Sequence, residues 1–275
     1  MPQSLDDYEV GKRLVALLKG PPKTGKSIAA CSFATKEAPM YVFDIDQRME
    51  SVVSFYKKYD PEKLKYIFYD TFFTYQQIVD KLDAMLQMQK IPYGNILVDS
   101  LTPLARMILT EMIEVRVGEA KADRNKKVNK AGNIPVNQVE DFNGETSGLS
   151  FVLATLRSRK FDHMNIFLNA HVVEISQFNI RDNTTRTSRR LLTGGKGIAA
   201  EIPSYFNELW HFRCEPDVSG RPTYRMMIRP NNMDEFNDFC GTSIQELPDD
   251  IDLTGKILSE ELNKHMPQLK GSGLE

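Results

Sequence analysis

The chain reads as an α/β protein with a mainly parallel central sheet, helices on both faces and a late antiparallel hairpin. Three observations carry that expectation. Short apolar runs alternate with helical periods along most of the 275 residues, the order from which parallel sheets are built. The first of these runs, Leu14-Val15-Ala16-Leu17-Leu18, leads directly into Gly20-Pro21-Pro22-Lys23-Thr24-Gly25-Lys26-Ser27, which fits G-x-x-x-x-G-K-[ST] at every fixed position. Late in the chain, His171–Ile180 and Thr185–Leu192 alternate weakly around Arg181-Asp182-Asn183, a polar tip suited to a hairpin.

Each element follows from its local pattern. Ser27 to Thr35 is rich in small residues and reads as the helix after the glycine loop. Met40–Asp46 reads as a second strand that ends in two carboxylates, Lys65–Tyr69 as a third, and Gln47–Tyr56 as a helix between them. Tyr75–Gln89 places Ile78, Leu82, Met85 and Leu86 at helical spacing. Asn95–Ser100 is an apolar strand closed by Asp99, and Leu101–Val115 is the helix that follows. The pattern dissolves over 118–148, recovers as a helix at Gly148–Phe161, and gives another buried strand at Asn165–Ala170. Gly197–Tyr205 reads as a short helix, Glu208–Cys214 and Thr223–Ile228 as late strands, and Ile251–Leu262 as a helix. The organisation expected is therefore a core over residues 1–230, with a basic flexible insert at 116–147, and a C-terminal extension over 231–275.

The glycine loop carries the first chemistry. Between a strand and a helix, its backbone N–H groups and the helix dipole face an anion. Residues Gly20 through Ser27 would cradle the phosphates of ATP; Lys26 would reach the β- and γ-phosphates, and the Ser27 hydroxyl would help hold Mg²⁺. A plain Gly/Pro turn is the bland alternative, and it gives Lys26 and Ser27 nothing to do.

Ligands of open parallel sheets sit beyond the carboxyl ends of the strands, and other polar residues collect there. Asp99, after Ile96-Leu97-Val98, has the place of the carboxylate that holds Mg²⁺. Asp46 is the candidate base for an attacking water, with Asp44 structural; the competing reading makes both carboxylates caps of the following helix. His171, directly after Asn169-Ala170, is a candidate γ-phosphate sensor or an ordinary hydrogen-bonding residue. Lys196, in Gly194-Gly195-Lys196-Gly197, is read as a flexible, exposed cation that reaches a neighbouring subunit's phosphates or binds nucleic acid.

Charge is unevenly placed. The chain is −2 overall, yet Arg116–Lys130 and Gln177–Gly197 are each +4, which leaves an acidic body. Three widely spaced cysteines, Cys31, Cys214 and Cys240, give neither a disulfide framework nor zinc spacing. No apolar run reaches the roughly 20 residues of a membrane span. The acidic start Met1–Asp7 has no signal-peptide core, so a reduced, cytoplasmic setting without membrane contact is expected.

Taken together, the glycine loop, Val42-Phe43-Asp44-Ile45-Asp46, Ile96–Leu104 and Ile166-Phe167-Leu168-Asn169 resemble successive motifs of the RecA-like P-loop ATPase core. The phage group of single-domain RecA-like annealing ATPases is the nearest resemblance, because Gly194–Phe206 is similar to its Gly-Gly-Lys segment with a downstream Ile-Pro-x-x-Phe. The resemblance covers about residues 12–230. It implies ATP and Mg²⁺ as cofactors, a ring or filament of identical subunits, single-stranded DNA as ligand and a single-strand-binding protein as a further partner. Asp46 stands where that family places Glu, which implies slow, DNA-stimulated hydrolysis.

The family's two DNA-binding loops fall on the two basic segments. Lys121, Arg124, Lys126, Lys127 and Lys130 would meet phosphates in the first; Arg181, Arg186, Arg189 and Arg190 would do so in the second, beside Phe178. Two solvated loops are the alternative. The leading reading is an ATP-dependent DNA-binding protein of phage-type recombination. A nucleotide-switched motor or assembly ATPase, of packaging or helicase type, is the second, and a small-molecule kinase the third.

Overall fold

The computed structural model describes residues 13–122, 130–131, 134–179, 184–229 and 240–265. Its centre is an eight-stranded mixed sheet. Strands β1 (Val15–Lys19), β2 (Met40–Asp44), β3 (Ile67–Thr71) and β4 (Asn95–Asp99) come first in the chain. Lys130–Ala131 (β5) and Ile134–Pro135 (β6) form a small separate ladder. The sheet is completed by β7 (Asn165–Ala170), β10 (Glu208–Pro216), β11 (Pro222–Met227) and β12 (Asp250–Asp252), in the spatial order β12-β11-β10-β1-β7-β4-β2-β3. The run from β10 to β3 is parallel, and β11 and β12 extend it antiparallel. Between β7 and β10, β8 (Val172–Asn179) and β9 (Thr184–Leu191) pair only with each other, as the expected antiparallel hairpin.

Continuous apolar strands are what burial on two faces requires, and period two sorts their residues. Val15 and Leu17 enter one core, while Ala16 and Leu18 enter the other. The second core is covered by α1 (Lys26–Cys31), α2 (Glu50–Tyr59) and, from the end of the chain, α7 (Leu258–His265). The first is covered by α3 (Tyr75–Gln87), α4 (Leu101–Ala122), α5 (Val139–Leu156) and α6 (Lys196–Glu201). Helix α3 starts on a capping box in which Thr74 and Gln77 satisfy each other's amides. Among the described residues no helix is long and apolar enough to cross a membrane.

Several expected boundaries move, each for a visible reason. Helix α1 stops at Cys31 rather than Thr35, because Phe33 N and Ala34 N turn to carbonyls three residues back. Strand β2 ends at Asp44 rather than Asp46: the Ile45 amide makes the last ladder bond, to Asp99 O at 2.7 Å, and the Asp46 amide turns back onto the same carbonyl at 3.0 Å. Helix α2 accordingly begins at Glu50, with Met49 rather than Asp46 at its N-cap. The patternless stretch 118–148 is largely helical in its described part, since α4 runs on to Ala122 and α5 starts at Val139. The helix expected over Ile251–Leu262 is instead the edge strand β12 followed by α7, with Ile251, Leu258 and Leu262 buried in the second core.

Candidate nucleotide site

The loop after β1 is shaped by its glycines. Gly20 has φ +150°, and a Cβ there would lie 2.2 Å from the Phe212 carbonyl oxygen, so no side chain fits. Gly25, at φ +87°, makes the left-handed turn into α1. Lys26 is buried, and its ammonium donates to Gly20 O at 3.0 Å and to Pro21 O at 2.7 Å. Thr24 Oγ1 closes the loop onto Pro21 O at 2.9 Å. Burial lowers the Lys26 pKa to about 8, against the opposing pull of Asp99 and Asp46.

Strand order then assembles a polar cluster. Because β7 lies beside β1 and β4 on its other side, Asn169 stands between Ser27 and Asp99. Asn169 Nδ2 donates to Ser27 Oγ at 3.1 Å and to Asp99 Oδ1 at 2.8 Å, and Ser27 Oγ donates to Asp99 Oδ2 at 2.6 Å. Burial raises the Asp99 pKa, and the Ser27 and Asn169 hydrogen bonds oppose it. Asn169 Oδ1 is buried with no hydrogen-bond partner. The Ser27 hydroxyl and the Asp99 carboxylate, oriented by the Asn169 amide nitrogen, give oxygen donors that fit Mg²⁺, which keeps several waters and leans on substrate phosphates. Among the described residues no cluster of three or more His, Cys, Asp or Glu side chains could hold a metal by itself. Ser27 and Asp99 would thus share the ion with the nucleotide.

The two carboxylates after β2 separate. Asp44 is buried, its Oδ1 accepts from Arg48 N at 3.2 Å, and it holds the turn into α2 rather than lining the cleft. Burial raises its pKa. Asp46 lines the cleft: its Oδ2 accepts from Ser100 Oγ at 3.1 Å and lies 3.8 Å from His171 Nε2. Burial alone would raise the Asp46 carboxyl, but His171, Ser100 and Arg48 outweigh it and hold the pKa below its ordinary value. His171 Nδ1 is buried without a partner, and the His171 carbonyl accepts from Leu192 N at 2.9 Å, which joins the residue to the base of the β8–β9 hairpin.

These groups sit at one end of a cleft of about 690 Å³, within the roughly 300–1,000 Å³ of small-molecule sites. It runs over α1 toward Phe55, Tyr56 and Tyr59 of α2 on one side, and Tyr224 with Leu253–Leu258 on the other. An aromatic and apolar far end suits a nucleobase. Sequence reading missed this half, since nothing local ties Tyr224 or Leu253 to the glycine loop. It also missed Asn169, Ser100 and the buried Glu145; for Asn169 the signal was present, a polar residue near the carboxyl end of a buried strand.

The basic segments are described only in part. Arg124, Lys126, Lys127 and Arg181 lie outside the described residues, as do the side chains of Lys121, Lys130, Arg186, Arg189 and Lys196. Lys121 is in α4, Lys130 in β5, and Arg186, Arg189 and Arg190 in β9, where Arg190 is exposed. Arg116, counted in the first positive segment, is committed to Asp141, with contacts of 2.8 and 3.0 Å. At Gly194-Gly195, Glu145 Oε1 and Oε2 accept from the two successive amides at 2.8 and 2.7 Å, and Lys196 opens α6.

No model of a known protein family matches the chain, and no curated protein matches it either. Among solved structures, it is similar to the RadB recombinase, with 12% sequence identity, 78% of this chain and 79% of that chain covered, and a TM-score of 0.42.

Proposed function

We propose that the chain is a RecA-like, ATP-dependent DNA-binding protein that hydrolyses ATP slowly in an assembly of identical subunits, in phage-type recombination or annealing. The observation that carries the reading is the cluster of Ser27, Asp99 and Asn169, closed by hydrogen bonds of 2.6–3.1 Å directly beside the glycine loop. Lys26 would leave its loop carbonyls for the β- and γ-phosphates. Asp46 would accept the proton of the attacking water, with Ser100 and His171 orienting its carboxylate. Mg²⁺ would supply charge neutralisation between the phosphates. The basic segments around 121–130 and 181–190 would follow the DNA backbone, and Lys196 would act on a neighbouring subunit's nucleotide.

Phosphate release, measured with and without single-stranded DNA, tests this reading. Wild-type protein should turn over slowly and accelerate with DNA, while Lys26→Ala should be inactive and fold normally. Mixing Lys26→Ala with Lys196→Ala should restore part of the activity, since each assembly would contain intact composite sites. Undiminished turnover in Lys26→Ala removes the site assignment; no recovery in the mixture removes the role of Lys196 across subunits.

A further inference from the structure

Glu145 is a fully buried carboxylate with no role in the chemistry above. Its two oxygens take the amides of Gly194 and Gly195 in a bidentate grip, at 2.8 and 2.7 Å. Burial pushes its pKa up, and the two amides pull it back. An apolar side chain here would leave both amides without an acceptor, so the carboxylate and the two amides are fixed by one another. The double glycine is explained by the same contact. A Cβ on Gly194 would lie 2.5 Å from Leu109 Cδ1 and 2.9 Å from Glu145 Oε2, so only glycine lets the loop come this close to α4 and α5.

One helical turn earlier on α5, buried Asp141 accepts the bidentate pair from Arg116, near the end of α4, and caps its own helix by accepting from Gln138 N at 2.7 Å. Arg116 also donates to Val136 O at 2.9 Å. The first turns of α5 therefore hold both the approach to the first basic segment and the exit from the second. On the other side, the loop 192–195 is tied to the nucleotide end. Leu192 N donates to His171 O at 2.9 Å, Thr102 Oγ1 donates to Leu192 O at 3.0 Å, and Thr193 Oγ1 donates to Gly195 O at 2.8 Å.

We infer that Glu145 is a positioning residue that couples the nucleotide site to the two basic segments, through its grip on Gly194 and Gly195. A shift of His171 on nucleotide binding moves Leu192–Gly195, and the charge-assisted bonds to Glu145 pass the shift to α5 and, through Asp141 and Arg116, to the first segment. Without the grip the response stops at the second segment and does not reach the first. The inference rests on the nucleotide-binding reading proposed above.

The test uses the full chain, a non-hydrolysable ATP analogue and Glu145→Gln. The variant keeps the shape but loses the charge and one of the two acceptors. Amide exchange is followed by mass spectrometry over 134–145 and 190–196, beside a direct titration of the analogue. In wild-type protein the analogue should slow exchange in both segments. In Glu145→Gln, analogue affinity should be unchanged and protection should persist at 190–196 but vanish at 134–145. The tightening of single-stranded DNA binding by the analogue, about tenfold for a coupling of ordinary size, should shrink to what the second segment alone transmits. A purely structural role would instead lower thermal stability and leave that ratio intact. Transmission to 134–145 as in wild type overturns the coupling, as does a wild-type chain that binds the analogue without responding there. A wild-type chain that fails to bind the analogue in the titration overturns the nucleotide reading and the coupling with it. Should Glu145→Gln not fold, Gly195→Ala serves, because its Cβ would lie 3.3 Å from Glu145 Oε2 and loosen the grip while keeping the charge; wild-type transmission in that variant overturns the coupling equally.

Discussion

At the scale of single residues, Lys26 and Asp46 carry the sharpest expectations. Lys26 titrates at about 8 because it is buried, whereas phosphates require the ammonium. Nucleotide bound to the charged form raises that pKa, so affinity is full below pH 8 and falls above it, by about tenfold per pH unit. Calorimetric titration of ATP between pH 7 and 9.5 should show this decline with proton uptake on binding; a flat profile would contradict a buried, phosphate-binding Lys26. Asp46→Asn should keep nucleotide binding and lose phosphate release. Asp44→Asn should affect turnover less, because its carboxylate serves the Arg48 amide and the turn into α2. Equal loss in the two variants would put the base in doubt.

At the scale of elements, the C-terminal segment is the instructive case. Ile251–Leu262 has enough apolar spacing to read as one helix, yet its first residues pair with β11 and only Leu258–His265 is helical. Edge pairing is a long-range event: Met226 meets Ile251 across the intervening chain, and no local period announces it. Leu262 is completely buried in the core beneath α1. Leu262→Ala should therefore cost about 2–5 kcal/mol, as core truncations do, and lower the thermal midpoint. A change below about 0.5 kcal/mol, typical of surface sites, would mean that this segment contributes little to the core. The same distance effect hid the far wall of the cleft, where Tyr224 and Leu253–Leu258 face α2.

For the molecule as a whole, the proposed function turns on nucleic acid. If the basic segments follow a single strand, log affinity should fall linearly with log salt, by about 0.7 per contacted phosphate. Reversing Arg186, Arg189 and Arg190 to Glu should lower that slope by about 2 and remove most of the binding. Basal ATPase should survive, since β9 lies outside the glycine loop. Filter binding of oligonucleotides across a salt series decides it; wild-type affinity in the triple variant would favour the motor or assembly reading.

The sequence by itself determined the parts whose signals are local. Apolar runs marked β1, β2, β4 and β7 because strands buried on both faces need no polar alternation. The glycine loop was legible because its pattern is contiguous, and Asp99 because it ends an apolar strand. Tertiary structure alone decided what depends on neighbours brought from afar. The amide of Asp46 turns onto the Asp99 carbonyl that already holds Ile45 N, which ends β2 and parts Asp46 from Asp44. Asn169 joins the site because β7 is inserted between β1 and β4. Gly194 and Gly195 read only as the setting of Lys196 until Glu145, some 50 residues away in sequence, is seen to grip them. A hydrogen bond between distant segments leaves no period in either of them, so only the folded chain reveals it.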